Sequence, residues 1–241
     1  MDGLLYLDHA ASTPMRPAAV EAMTPFLTDC FANPSGSHRF ARTARQAVDE
    51  AREQVAAALG VLPGEVIFTG CGTESDNHAV TGSVAQRGGL AVTSAVEHHA
   101  VLDPVLASGG VAVGVDATGH VDIEELARVL RSNDAVSVVS VMTVNNEVGT
   151  VTDMVAVAEV VRREAPGAWL HTDAVQAACW IDLREVTPLV DMLSLSAHKF
   201  GGRSRRFTRS SVTTRSGWDS EPASSPWYFS AAWAFSSGAW C

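Results

Sequence analysis

Short β-branched runs alternate with amphipathic stretches from about residue 66 to residue 196, and no other feature of the chain limits its fold as tightly. The runs predict strands over residues 66–69, 91–94, 111–115, 136–141, 169–172 and 192–196. Helical patterns lie between them: residues 123–130 carry acids early and arginine late, and residues 155–163 stop before Pro166. When helices separate successive strands, each crossover returns the chain to the start of a new parallel strand. The expected fold is therefore α/β, a mainly parallel sheet with helices on both faces in a three-layer α/β/α sandwich. Ligands of such sheets gather at the carboxyl ends of the strands, so the residues that follow each run are where chemistry is expected.

Upstream, residues 41–59 predict an amphipathic helix with alanine and valine on one side and Arg45, Asp49, Arg52 and Glu53 on the other. The preceding stretch from Asn33 to His38 is a loop rich in turn formers. At Arg203 the character changes: residues 203–241 hold ten serines and four of the six tryptophans, without a two-residue or 3.6-residue apolar period. Disordered tails are poor in aromatics, so this segment reads as one never selected to fold, for instance one translated in a shifted reading frame. Translation of the underlying nucleotides beyond Gly202 in the other two frames tests that reading. The expected organisation is a large domain over residues 1–202 and an aberrant tail over 203–241.

A net charge of −10 argues against nucleic-acid and anionic-membrane partners, which would repel an acidic protein. No apolar stretch approaches the roughly eighteen residues that span a bilayer, and Met1-Asp2-Gly3-Leu4 lacks the basic region of a secretory signal, so a cytoplasmic location is expected. Cys30, Cys71, Cys179 and Cys241 are far apart and form no CxxC pair; no metal site is expected.

Sixteen of the 17 basic residues are arginine, and the single lysine is Lys199. Imine formation needs a primary amine, a task guanidinium cannot perform. Lys199 lies in Ser196-Ala197-His198-Lys199-Phe200-Gly201-Gly202 at a strand end, where it could hold an aldehyde cofactor while Ser196 and His198 reach a phosphate; the plainer alternative is a surface lysine beside a turn. In Gly70-Cys71-Gly72-Thr73-Glu74-Ser75 a strand passes through glycines into a helix whose free N–H groups could bind a phosphate, Thr73 adding a hydroxyl; an ordinary cap by Thr73 or Ser75 is the alternative. Asp173 in His171-Thr172-Asp173-Ala174-Val175-Gln176 could pair with a pyridinium nitrogen and Gln176 with a ring oxygen, or Asp173 could simply cap a helix. Glu97-His98-His99 offers one imidazole able to stack on a ring and move protons. Asn145-Asn146-Glu147-Val148-Gly149 offers amides for a carboxylate or ring oxygen, and by itself is also a good turn. Each signal is weak alone, but all of them fall after predicted strands.

Together with Tyr6-Leu7-Asp8-His9-Ala10-Ala11-Ser12-Thr13-Pro14, these motifs resemble, in order and approximate spacing from about Leu4 to Gly202, the cysteine desulfurases. These are class V aminotransferase-like, fold-type I enzymes that depend on pyridoxal 5′-phosphate (PLP). The resemblance implies that Lys199 is the Schiff-base lysine, Asp173 the partner of the pyridinium nitrogen and Gln176 the partner of the ring hydroxyl. It implies that His98 stacks on PLP and shuttles protons, that Gly72, Thr73, Ser196 and His198 surround the phosphate, and that Asn146 is an active-site amide. It further implies conversion of L-cysteine to L-alanine with sulfur passed to an acceptor cysteine, then to iron–sulfur scaffolds or tRNA-thiolating proteins, by a homodimer. Family members continue past the lysine into a small C-terminal domain, with a substrate-binding arginine and a mobile acceptor cysteine. No segment here matches these features, Cys241 included, so the chain as given is expected to be catalytically inactive. Two other readings stand beside this one: a non-catalytic PLP-binding fragment, and another class V lyase such as a selenocysteine lyase.

Overall fold

The computed structural model describes residues 4–202 and the backbone of a strand at residues 211–215. Two helices come first, α1 (Pro17–Thr28) and α2 (Arg39–Leu59). Strands and helices then alternate as β1 (Val66–Thr69), α3 (Gly72–Arg87), β2 (Leu90–Ser94), α4 (His99–Ala107), β3 (Val111–Val113), α5 (Ile123–Arg131), β4 (Val136–Ser140), α6 (Met154–Glu164), β5 (Trp169–Asp173), β6 (Met192–Ser196) and β7 (Ser211–Arg215). The sheet order is β1-β7-β6-β5-β4-β2-β3. Neighbours from β6 to β3 pair in parallel, and β7 pairs antiparallel to both β1 and β6. It follows that β1 and β6 run the same way, so the carboxyl ends of β1, β2, β4, β5 and β6 share one edge.

Residue parity builds the three layers. Val92, Val139, Leu170 and Leu193 face a core completed by α2, α5 and α6, including Val55, Leu59, Leu126, Leu130, Val157 and Val161. The alternate residues Ala91, Val138 and Met192 face the opposite core, with Val80 of α3 and Val101 and Val105 of α4. Strands buried on both sides explain why the predicted runs are nearly continuous in apolar residues. Nearer the carboxyl edge the α3 face turns polar: Ser140, His171, Asp173, Ser194 and Ser196 are all buried there, beside Ser75 and Asp76 of α3.

All six predicted strands are present within two residues at each end, and the predicted helices match α2, α5 and α6. One correction falls in residues 203–241. The expectation that this segment adds nothing to the sheet fails at Ser211–Arg215, which pairs on both sides between β1 and β6. A strand flanked by two others obtains its ladder from their backbones and needs no apolar period of its own. The remainder of that segment, with the reading-frame idea attached to it, lies outside the described residues.

Candidate active site

One cavity of about 460 Å³ opens at the shared carboxyl edge. Its walls include Gly72 and Thr73 after β1, His98 after β2, Asn146 after β4, Asp173 and Gln176 at β5, and Ser196, His198 and Lys199 at β6. All nine residues proposed from the sequence therefore come together. Asp8, Ala10, Ala11, Cys71, Asp76, Met142 and Val175 complete the lining.

Each wall has a local cause. Helix α3 begins at Gly72 with Cys71 as N-cap and no side-chain cap, so Thr73 lies within the first turn and is not the capping residue. A Cβ on Gly72 would stand 3.4 Å from both Ser196 and Val175, ordinary van der Waals contact between helix and sheet. Ser196 Oγ is 2.8 Å from His198 Nδ1. Asp173 is 5% exposed, and its Oδ1 accepts the Val175 N–H at 2.8 Å, an Asx-type turn rather than a helix cap. Burial pushes the Asp173 carboxyl up, against the Val175 N–H and the nearby His98 and Lys199. Burial likewise lowers the Lys199 ammonium, against the attraction of Asp173 and Asp8.

The neighbouring pairs sort themselves cleanly. His98 caps α4 by accepting the Ala100 N–H on Nδ1 at 3.1 Å, which leaves Nε2 to carry the ring proton of the neutral imidazole. His99 is exposed and meets Asp103 at 3.4 Å, away from the cavity lining. Asn145 is a structural residue: its Oδ1 accepts the Glu147 and Val148 N–H groups at 2.9 Å each, and its Nδ2 donates to Val96 O. Asn146 is the amide at the cavity.

The N-terminal segment covers one side. Lys199 Nζ donates to Ala10 O at 2.5 Å and Ala11 O at 3.2 Å, and Gln176 Nε2 donates to Ala10 O at 2.8 Å. Thr13 anchors this segment to the lysine loop: its hydroxyl donates to His198 O at 2.8 Å and accepts from Gly201 N at 2.7 Å. Sequence reasoning assigned Asp8, Ala10 and Ala11 no role, because backbone carbonyls carry no residue-type signal. It also missed Asp76, one turn into α3, where an acid ordinarily reads as solvated surface. Cys71, one of the four scattered cysteines, lines the cavity at the start of α3.

These elements define an α/β sheet protein whose cavity gathers an amine, a buried carboxylate and an uncapped helix start. The class V aminotransferase model matches residues 5–204, and the chain belongs to that family, whose members depend on PLP. It is 42% identical over 206 residues to the cysteine desulfurase IscS of Dictyoglomus turgidum, covering 82% of this chain and 51% of the relative. An IscS-like cysteine desulfurase of Mycobacterium tuberculosis is 44% identical over 211 residues, with 83% and 53% covered. Among solved structures a NifS-like protein superposes with a TM-score of 0.79 at 33% identity, covering 88% of this chain and 58% of that one. The structure of SspA in complex with cysteine gives 0.76 at 32% identity, with 87% and 60% covered. The chain spans about half the length of the curated relatives it matches.

Proposed function

We propose that the cavity holds PLP and serves a cysteine desulfurase reaction, in which L-cysteine yields L-alanine and its sulfur passes to a cysteine thiol. The observation that carries this reading is the joint position of Lys199, Asp173 and the uncapped start of α3 around one cavity. The residues present fit the cofactor. The second oxygen of Asp173 takes no hydrogen bond and is available to a ring N–H. The free N–H groups of the first turn of α3, the Thr73 and Ser196 hydroxyls and His198 suit a phosphate dianion. When bound, PLP supplies an electron-withdrawing ring that stabilises negative charge beside the substrate amine.

The side chains then divide the work. Lys199 Nζ would receive the aldehyde carbon, burial lowering its ammonium and so favouring the amine form that condenses with it. Asp173 would keep the ring nitrogen protonated, and Gln176 Nε2 would hold the ring hydroxyl oxygen. His98 has its Nδ1 committed to the Ala100 N–H, so Nε2 is the atom that would give or take a proton. Asn146 supplies an amide at the substrate side. An iron–sulfur scaffold or tRNA-thiolating protein is the acceptor this reading proposes, with a homodimer as the working form and the cytoplasm as its location. Among the described residues no helix is long and apolar enough to cross a membrane.

A second reading, cofactor binding without turnover, draws on a different observation: among the described residues that line the cavity, none is an arginine that could receive the substrate carboxylate. One experiment separates the two. PLP added to the purified chain is expected to give a visible absorbance band that is lost in Lys199→Ala, and no band in the parent would refute cofactor binding. L-cysteine with a reductant is then supplied; sulfide and alanine in equal amounts favour the desulfurase, and a band without either product favours the binding fragment.

A further inference from the structure

Three carboxyls, Asp76, Glu97 and Asp173, are grouped on the buried side of the cavity, each close enough to Asp173 or its partners to feel the others' charge. Asp76 Oδ1 lies 3.8 Å from His171 Nε2, and His171 is two residues before Asp173 on the same face of β5. Glu97 Oε1 accepts the Met142 N–H at 2.8 Å, and the next residue, Thr143, donates its N–H to Asp173 O at 3.0 Å. The three are not equally supported. Asp173 Oδ1 takes a backbone N–H, and among the described residues Lys199 is the cation that faces it. Among the described residues, two buried side-chain polar atoms have no hydrogen-bond partner, and they are Asp76 Oδ1 and Glu97 Oε2.

We propose that Asp76 and Glu97 each carry a proton in the folded protein, leaving Asp173 as the single anion of the cluster. An ionised carboxylate with a buried oxygen that has no partner and no cation beside it is costly, and three adjacent charges would repel one another. Asp76 is 1% exposed, and the groups facing it are Asp173, Glu97, Cys71, His171 and Ser194, none of which offers a positive charge. His171 cannot supply one: it is fully buried, its nitrogens lie 2.8 Å from Ser140 Oγ and 2.9 Å from Ser194 Oγ, and burial pushes it down to about 3. Glu97 faces Ser94, the Met142 N–H and Asp173, and burial pushes it up to about 8. The neutral acids thus act as positioning residues. They hold α3 and the β2 and β4 loops against β5 while concentrating the cluster's charge on the carboxylate that faces Lys199. The purpose of that arrangement rests on the cofactor reading above; the protonation itself does not.

Infrared spectra of the full chain without PLP, near neutral pH, test it. A protonated-carboxyl C=O absorption is expected in the parent, reduced in Asp76→Asn, reduced in Glu97→Gln and unchanged in Asp173→Asn. An absorption undiminished by either of the first two substitutions, or one that falls in Asp173→Asn, overturns the proposal. Should a variant not fold, carboxyl 13C shifts of the parent labelled at Asp and Glu side chains give the same answer. Two carboxyls are expected to remain protonated at about pH 6, where ordinary carboxylates are ionised, and finding every carboxyl ionised there overturns the proposal. Neither measurement involves PLP, so both remain readable if the cofactor reading fails.

Discussion

Glu97 is buried, and its Oε1 alone answers to one hydroxyl and one backbone N–H, so its titration should register in the stability of the whole protein. Its carboxyl is pushed up from 4.5 to about 8. Between those values the unfolded chain has already released the proton while the folded protein keeps it, so the stabilisation present at low pH is lost as pH rises toward the folded value. The loss runs at about 1.4 kcal/mol per pH unit. Glu97→Gln is expected to flatten this part of the curve of unfolding free energy against pH, with its largest gain over the parent near pH 8; an unaltered slope in denaturant titrations would contradict it. At this scale the sequence disclosed the groups that follow strands, Lys199 above all, because strand ends announce themselves through apolar runs. It concealed Asp76, since only packing of α3 onto β5 and β6 shows that this helical acid is buried.

Elements were legible where periodicity and caps agreed. Helix α5 starts at Asp122, whose Oδ1 accepts the Glu125 N–H at 2.9 Å, and carries Glu124 and Glu125 in its first turn with Arg128 and Arg131 in its last. Asp122→Ala is expected to cost about 1 kcal/mol in urea unfolding without shifting any cofactor absorbance; a loss of absorbance would mean that α5 supports the cavity more directly than its position allows. Helices α1 and α4 were not predicted, because Pro25 and Pro104 lie inside them and interrupt the pattern. In α4 the cap is His98, a residue chosen from the sequence for chemistry and found also to start a helix. Strand β7 escaped notice because its neighbours, not its own side chains, define it.

The molecule as a whole is organised by one directional fact: six strands end at the same edge, and residues after β1, β2, β4, β5 and β6, far apart in sequence, converge on one cavity. The three-layer fold and this convergence could both be read from the alternation of strands and helices. The cover formed by Ala10 and Ala11 could not, since it depends on Thr13 fastening the N-terminal segment to the loop of Lys199 and Gly201. The central claim is that the single lysine is the residue that receives the cofactor. Borohydride reduction of the chain with PLP, followed by peptide mass spectrometry, tests it most directly, because the only other amine is the N-terminus. Reduced cofactor on the peptide containing Lys199 is the expected result; label confined to the N-terminal peptide, or no label, would contradict the account.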